Sequence, residues 1–511
     1  MDSSNTIWSL LAAGQDMAPA IGAPERTALT YAGLRALAKK TVADLNALGI
    51  GRGDRVAIVL PNGPEMATAF LTVACGAATA PLNPDYKAEE FQFYLSDLGA
   101  KALLVEKGSQ SAAIAVAHKL KVPVYEIAWQ TSDPAGSFAI QSSGTKAASA
   151  AQPGMAEPDD IALVLHTSGT TSRPKIVPLR QSNVAASGRN VGAAVALTAK
   201  DRCLNVMPLF HIHGLIAAVL SSLAAGAYVA CSPGFNALKF FGWVDEVKPT
   251  WYTAVPTMHQ AILTRAARNI EVIQRNPLRF IRSSSASLPP QVMAELETTF
   301  GAPVIEAYGM TEAAHQMTSN PLPPRPRKPG TVGIAAGPEV AIMGDSGGLL
   351  LPGQTGEIVI RGANVTAGYE ANDKANAEAF THGWFRTGDQ GMMDDEGYLS
   401  ITGRLKEIIN RGGEKISPRE VDEVLMDHAA VAQVVTFAVP HTMLGEEVAA
   451  AVVLRENQAC TEADLREFAR GRLAEFKVPR KILFLAEIPK GATGKMQRIG
   501  LAEKLGLGKM A

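Results

Sequence analysis

The feature that most constrains the fold is a repeated alternation of helical patterns with short apolar runs. Residues 31–48 place apolar side chains at helical spacing, and the turn residues Gly51 to Asp54 separate them from the apolar run Val56 to Leu60. The order recurs, with a helical pattern at Pro64 to Ala74 and apolar runs at Ala102 to Val105, Ile161 to Leu165 and Ala227 to Ala230. Such alternation predicts an α/β fold in which helices cover parallel sheets.

The pattern changes in the last third of the chain. From about residue 340 to 403, short alternating runs and turn residues predict a small β-rich subdomain. After Gly403, helical patterns and apolar runs alternate again, at Pro418 to Met426, Val431 to Val439, Ala449 to Leu454 and Glu462 to Leu473. We therefore predict a large N-terminal domain over residues 1–403 and a smaller α/β domain over residues 404–511.

The charge and cysteine content exclude several classes of partner. The 48 Lys and Arg residues nearly cancel the 49 Asp and Glu residues, so no overall field attracts nucleic acid or an anionic membrane. The four cysteines have no CxxC or metal-binding spacing, and no apolar stretch approaches the length of a membrane span. We expect a cytoplasmic protein, monomeric or homodimeric, with no nucleic-acid or membrane partner.

A segment rich in hydroxyl groups follows the apolar run Ile161 to Leu165. Its sequence from His166 to Lys175 is HTSGTTSRPK, which offers backbone N–H groups, hydroxyls and cations to a polyphosphate. It is not the GxxxxGK[ST] phosphate loop. The alternative reading is a Ser/Thr-rich turn.

Four more motifs follow in order, and together they identify a resemblance. They are EAYGMTE at 306–312, WFRTGD at 384–389, GRLKE at 403–407 and PKGATGK at 489–495. This set resembles the acyl-adenylate-forming superfamily of acyl-CoA synthetases, peptide-synthetase adenylation domains and luciferases. The resemblance covers nearly the whole chain. It implies an AMP-binding N-terminal domain with a mobile C-terminal lid, and an ATP-dependent ligase that forms an acyl-adenylate and passes the acyl group to coenzyme A.

The resemblance implies roles for many residues in binding ATP. Glu312 holds Mg²⁺, a role that suits a carboxylate oxygen, and Tyr308 stacks on adenine. Asp389 accepts the ribose hydroxyls and Arg404 donates near the ribose or phosphate. The other implied contacts are Thr167, Ser168, Gly169, Thr170, Thr171 and Lys175 at the phosphates, Thr311 at the α-phosphate, and Ser285, Ala286, Ser287, Glu306, Ala307 and Gly309 around the base. The alternatives are a core tyrosine for Tyr308 and a surface salt bridge for Asp389 or Arg404.

The resemblance also assigns the lid. Lys495 is implied to reach the carboxylate and α-phosphate as the main catalytic cation of the first step, with Thr167, Glu312 and Arg404 also in the catalytic set. Lys406 matches the hinge about which the lid rotates between the two reactions. After rotation, Arg411 and Gly413 are implied to contact coenzyme A. A solvated lysine and a plain glycine turn are the alternatives for Lys495 and Gly413.

Three residues are implied to form the acyl site: His213 in the PLFHIHG segment, Ser285 and His315. A buried, hydrogen-bonded structural histidine is the alternative for each of the two histidines. Histidine and hydroxyl donors suit a short acid with a second carboxylate better than an alkyl tail. HTSGTTSRPK, with Ser172 and Arg173, and the histidine after the TE pair resemble the oxalate-CoA ligase branch, so oxalate is the favoured acid. Malonate, other short acids and aryl acids are alternatives. Arg282 could pair with a second carboxylate or lie at the surface, and it is left out of the predicted site.

Two rival functions and one departure stand beside this interpretation. The acyl group could go to a carrier-protein phosphopantetheine instead of coenzyme A, or the protein could be a nucleotide-binding pseudoenzyme. Oxidation of a luciferin-like substrate is disfavoured by the polar acyl site. The family's phosphate loop usually ends in PKG, whereas Ile176 follows Lys175 here. A β-branched residue disfavours the positive φ that glycine permits, so we expect a stiffer or differently bent loop that still binds phosphate.

Overall fold

The computed structural model describes residues 5–141, 149–167, 174–489 and 498–508. Its contacts divide the chain into two compact units. The larger comprises residues 1–167, 175–340 and 360–379, and the smaller comprises residues 168–174, 341–359 and 380–511. The predicted domain boundary at residues 403 and 404 stays a prediction.

Most strands lie in two sheets of the larger unit. In chain order they are β1 (Pro19–Ala23), β2 (Arg26–Thr30), β3 (Arg55–Val59), β4 (Ala78–Pro81), β5 (Ala102–Glu106), β6 (Val124–Ala128), β7 (Ala139–Gln141), β8 (Ile161–His166), β9 (Ile176–Arg180), β10 (Arg202–Asn205), β11 (Tyr228–Cys231), β12 (Trp251–Ala254), β13 (Phe280–Ser283), β14 (Val304–Met310), β15 (His315–Ser319) and β16 (Ile334–Ala335). One sheet has the order β16-β15-β14-β13-β12-β10-β11-β1-β2, and the other has the order β7-β6-β5-β3-β4-β8-β9. The neighbours from β14 to β1 are parallel, as are those from β6 to β8, so the predicted α/β fold with parallel sheets is confirmed.

Helices cover these sheets as predicted. They are α1 (Ile7–Leu10), α2 (Tyr31–Ala47), α3 (Pro64–Ala74), α4 (Ala88–Leu98), α5 (Ala112–Lys119), α6 (Gln181–Ala194), α7 (Ser221–Ala224), α8 (Phe240–Val247), α9 (Pro256–Ala266), α10 (Ile270–Arg275), α11 (Pro290–Phe300) and α12 (Asp373–Ala379). In α2 the buried residues Leu34, Ala38, Val42 and Leu45 follow the helical period, which places one apolar face in the core. A π-helical segment, His213–Leu220, precedes α7. Such segments often occur at functional sites.

The smaller unit contains two five-stranded sheets. Its strands are β17 (Glu339–Met343), β18 (Thr355–Arg361), β19 (Phe380–Thr381), β20 (Trp384–Met393), β21 (Leu399–Arg404), β22 (Ile409–Arg411), β23 (Glu414–Ile416), β24 (Val431–His441), β25 (Gly445–Leu454) and β26 (Lys481–Phe484). The first sheet has the order β17-β18-β20-β19 with β21 beside β20, and the second has the order β23-β22-β25-β24 with β26 beside β25. Both the predicted β-rich subdomain and the later α/β region are present.

The described residues of this unit form three α-helices: α13 (Pro418–Met426), α14 (Glu462–Arg470) and α15 (Leu501–Lys504). Val421 and Leu425 of α13 and Leu465 of α14 are buried with Val448 of β25 in one apolar cluster. Among the helices of the described residues, none has the length and hydropathy needed to cross a membrane.

Candidate active site

The phosphate-loop candidate begins and ends on two paired strands. His166 of β8 lies opposite Ile176 of β9 in an antiparallel pair. The Thr167 N–H donates to the Lys175 carbonyl at 2.9 Å, and the Lys175 N–H donates to Thr167 Oγ1 at 3.2 Å. These bonds close the ends of the segment. The predicted phosphate ligands Ser168, Gly169, Thr170 and Thr171 lie outside the described residues.

Ile176 does not have the conformation for which a glycine would be needed. It lies in the extended backbone of β9, and its carbonyl accepts the Glu370 N–H at 3.1 Å. A β-branched residue is favourable in a strand. The strain considered for this departure from PKG therefore does not arise at Ile176.

Glu312 is held next to this segment by a tyrosine that the sequence motifs did not indicate. The Tyr369 hydroxyl donates to Glu312 Oε1 at 2.8 Å. The Thr366 N–H donates to the Glu312 carbonyl at 2.7 Å, and the side chain of Glu312 is buried. Lys175 Nζ lies 4.2 Å from the centre of the Tyr369 ring. Tyr369 therefore connects the predicted phosphate cation with the predicted metal ligand.

The oxygen chemistry of Glu312 fits a magnesium ion. Mg²⁺ is usually held by one or two carboxylates together with substrate phosphates and water. Within the described ranges no group of three or more His, Cys, Asp and Glu side chains could hold a metal on its own. A single buried carboxylate connected through Tyr369 to Lys175 is consistent with that mode of binding.

The predicted base-binding segments meet at the ends of two parallel strands. Ser283 at the end of β13 lies opposite Glu306 of β14. The Ser284 hydroxyl donates to the Ala307 carbonyl at 2.8 Å, and the Leu288 N–H donates to Glu306 Oε1 at 3.1 Å. These bonds place the turn containing Ser285, Ala286 and Ser287 beside the 306–309 stretch. Glu306 is therefore a buried anchor for this turn.

The backbone of β14 approaches its neighbour closely at Gly309. A Cβ atom there would lie 1.6 Å from the His315 carbonyl oxygen, so only glycine fits. Tyr308, next to it, is half-buried, and Thr311 begins the short helical turn that carries Glu312. Tyr308 is not fully buried, which differs from the core tyrosine of the alternative interpretation.

The structure brings the three predicted acyl-site residues together. His213 Nδ1 lies 2.9 Å from Ser285 Oγ, and its Nε2 lies 2.6 Å from Thr253 Oγ1. The rings of His213 and His315 stack with centroids 5.1 Å apart, and each residue is only 2% exposed. Arg282 Nη2 donates to His315 Nε2 at 3.1 Å. Arg282 is fully buried, so the reading of it as a surface residue was wrong.

Unusual backbone conformations concentrate in this cluster. Ser285 has φ 75°, Ala314 has φ 48° and His315 has φ 99°. Side chains other than glycine rarely adopt such values, which persist when surrounding structure enforces them and which cluster at functional sites. Ser285 follows β13 and His315 begins β15, and both side chains contact the His213 ring.

In the smaller unit, Asp389 and Arg404 form a pair across neighbouring strands. Asp389 of β20 lies opposite Arg404 of β21, and Arg404 Nε donates to Asp389 Oδ1 at 2.8 Å. The Asp389 side chain is 13% exposed and that of Arg404 is 41% exposed. The salt bridge of the alternative interpretation is therefore present, with an exposed arginine and a largely shielded carboxylate, and the ribose contacts of both residues stay predictions.

The predicted hinge residue and the predicted coenzyme A contacts come shortly after Arg404 in the chain. Lys406 lies in the short helical turn Leu405–Glu407. Gly412 and Gly413, with φ 59° and 99°, connect β22 to β23, so this tight hairpin itself requires glycine. Arg411 Nε donates to Glu447 Oε1 at 2.6 Å, which raises the pKa of Arg411. Lys495 lies outside the described residues.

Comparison with known proteins decides the family. Residues 11–370 match the family model "AMP-binding enzyme", and residues 420–495 match "AMP-binding enzyme C-terminal domain". The chain belongs to the AMP-binding enzyme family. This AMP-binding enzyme is 48% identical to the oxalate-CoA ligase of Arabidopsis thaliana over 92% of each chain. It is 44% identical to the oxalate-CoA ligase of Saccharomyces cerevisiae over 88% of this chain and 87% of that one.

The fold comparison agrees. The AMP-binding enzyme is similar to the crystal structure of ATP-bound MatB from Rhodopseudomonas palustris, with a TM-score of 0.87, 28% identity and 98% of each chain covered. The predicted acyl-adenylate-forming family and its resemblance to oxalate-CoA ligases are confirmed. The protein is an AMP-forming acid-thiol ligase that binds ATP, a carboxylic acid and coenzyme A.

Proposed function

We propose that this enzyme is a magnesium-dependent oxalate-CoA ligase. It converts oxalate, ATP and coenzyme A into oxalyl-CoA, AMP and pyrophosphate. The observation that carries the proposal is the cluster of the buried His213 and His315 with the partly buried Ser285, and the buried Arg282 against His315. Polar donors on these side chains match a small acid with two carboxylates better than an alkyl tail. The 48% and 44% identical oxalate-CoA ligases support the same acid.

ATP is held by both ends of the segment after β8 and by the loops that follow. Thr167 and Lys175, with Ser168, Gly169, Thr170 and Thr171, take the phosphates, and Thr311 reaches the α-phosphate. Glu312 holds Mg²⁺, which neutralises phosphate charge when bound. Adenine lies between the 306–309 stretch and the turn 285–287, and Tyr308 stacks on it. Asp389 and Arg404 take the ribose.

The first step is displacement at the α-phosphate. A carboxylate oxygen of the acid forms a bond to that phosphorus, the bond to the β-phosphate oxygen breaks, and pyrophosphate leaves. Both partners are anions, so positioning and cations dominate the catalysis. Lys175 and Arg404 supply positive charge next to the phosphates, and Lys495 bridges the carboxylate and the α-phosphate.

The second step is attack of the coenzyme A thiol on the activated carbonyl, with AMP as the leaving group. Rotation about Lys406 exchanges Lys495 for the β22–β23 hairpin. Gly413 has no side chain, which leaves room for a pantetheine arm, and Arg411 is held in a fixed direction by Glu447. We expect a monomer or homodimer, and the free state of all four cysteines supports a reducing compartment such as the cytoplasm.

A screen of pyrophosphate release tests the proposal. Oxalate, malonate, acetate, a medium-chain acid and an aryl acid are compared by kcat/KM, with coenzyme A present. We expect oxalate to give the highest value and oxalyl-CoA to form in equal amount to pyrophosphate. A higher kcat/KM for another acid refutes oxalate as the substrate. Pyrophosphate without a coenzyme A thioester supports the carrier-protein alternative.

A further inference from the structure

Arg282 is a fully buried arginine without a carboxylate partner in the described part of the chain. Its guanidinium donates from Nη2 to Gln316 Oε1 at 2.9 Å and to His315 Nε2 at 3.1 Å, and Nε has no hydrogen-bond partner. Burial lowers the pKa of Arg282 to about 10, so the group is still charged at neutral pH. A buried charge is costly unless an opposite charge or several hydrogen bonds compensate it.

The Arg282 guanidinium also determines which ring nitrogen of His315 carries the proton. Arginine can only donate, so His315 Nε2 must be the acceptor and the proton of the neutral ring must be on Nδ1. Arg282 Nη1 lies 3.5 Å from Thr253 Oγ1, a long contact in the same donating sense. The Thr253 hydroxyl can then donate to His213 Nε2, which places the His213 proton on Nδ1, facing Ser285.

We propose that Arg282 is the specificity-determining positioning residue of the acyl site. Its charge, transmitted through His315, selects acids that carry a second negative group. This inference rests on the proposed function of His213, Ser285 and His315 as the acyl site. Arg282 does not touch the acid. It acts by orienting His315 as an N–H donor and by providing the positive charge that a second carboxylate compensates.

The expected size of the selection follows from Coulomb's law. A carboxylate that accepts from His315 Nδ1 would lie about 8 Å from the guanidinium, since the 3.1 Å Arg282–His315 bond, the ring and one more hydrogen bond separate them. At an effective dielectric constant of about 20, two unit charges at that distance change an equilibrium constant by about 30-fold. A neutral group in the same position gains none of this.

The experiment compares oxalate with oxamate, in which a neutral amide replaces one carboxylate. The variants are Arg282→Met, which removes the charge at similar length, and Arg282→Lys, which keeps it. Arg275→Met is the matched control because Arg275 is exposed and pairs with Asp245. For each protein, the KM for oxalate, the kcat/KM for oxamate as a substrate, the KM for ATP and the melting temperature are measured; when oxamate reacts, its carboxylate is at ATP and its amide takes the second position.

We expect Arg282→Met to raise the KM for oxalate by about 30-fold, with the kcat/KM for oxamate and the KM for ATP within about twofold of wild type. Arg282→Lys should restore most of the oxalate affinity, and Arg275→Met should match wild type. Equal weakening of oxalate and oxamate, or an unchanged KM for oxalate in Arg282→Met, overturns the role of Arg282 while leaving the proposed function intact. If Arg282→Met does not fold, Arg282→Lys decides the question. The role of Arg282 is then overturned if Arg282→Lys loses the preference for oxalate over oxamate that the wild type shows. A wild-type enzyme that does not use oxalate overturns both.

Discussion

The contact between Tyr369 and Glu312 gives a sharp test of how the metal ligand is positioned. Tyr369→Phe removes one oxygen and leaves the aromatic ring against Lys175. The lost bond runs from a hydroxyl to a buried carboxylate over 2.8 Å. Hydrogen bonds to charged groups contribute about 1.5–3 kcal/mol, so the variant should lose about 10- to 150-fold in kcat/KM for magnesium-ATP.

The assay is pyrophosphate release with magnesium-ATP varied at saturating oxalate and coenzyme A. The KM for oxalate should change by less than about threefold, because Tyr369 acts through the nucleotide side of the reaction. Tyr125→Phe in β6 is the matched control and should behave as wild type. If Tyr369→Phe keeps kcat/KM for ATP within about twofold of wild type, Tyr369 does not position Glu312 for catalysis.

Three further changes test the lid and the acyl site. Lys495→Ala should abolish adenylation but leave thioester formation from supplied acyl-adenylate largely intact, and equal loss of both half-reactions would contradict the lid assignment. His315→Ala should raise the KM for oxalate more than that for ATP in steady-state kinetics, so unchanged oxalate kinetics would remove His315 from the acyl site. Arg498 pairs with Asp422 at 2.7 Å and Glu407 at 3.2 Å. Arg498→Met should therefore lower the free energy of unfolding of the smaller unit by about 2 kcal/mol, a value that allows for the partial exposure of these groups. Urea denaturation measures this change, and an unchanged midpoint would show that the two ion pairs do not stabilise the unit.

The fold was predictable because local patterns decided it. The helix predicted at Pro64 to Ala74 has those bounds in the structure, since Gly63 and Pro64 mark its start and apolar residues fill it. The strand predicted at Val56 to Leu60 is Arg55–Val59, one residue away. The helix predicted to reach Leu473 ends at Arg470, before Gly471.

The site was only partly predictable. Resemblance placed His213, Ser285 and His315 in one acyl site, and the structure brings them into contact. Spacing along the chain gives no information on a bond between residues 57 positions apart, so the contact of Tyr369 with Glu312 was missed. The burial of Arg282 was missed because a charged residue in a strand is ordinarily placed on an exposed face.

The fate of a carboxylate oxygen tests the proposed chemistry most directly. If the acid is activated by bonding to the α-phosphate, one of its own oxygens must leave with AMP when the thiol attacks. Oxalate uniformly labelled with ¹⁸O, incubated with ATP, magnesium, coenzyme A and the enzyme, should give AMP carrying one labelled oxygen, as measured by mass spectrometry, together with unlabelled pyrophosphate. Unlabelled AMP, or ADP and phosphate in place of AMP and pyrophosphate, would contradict the account.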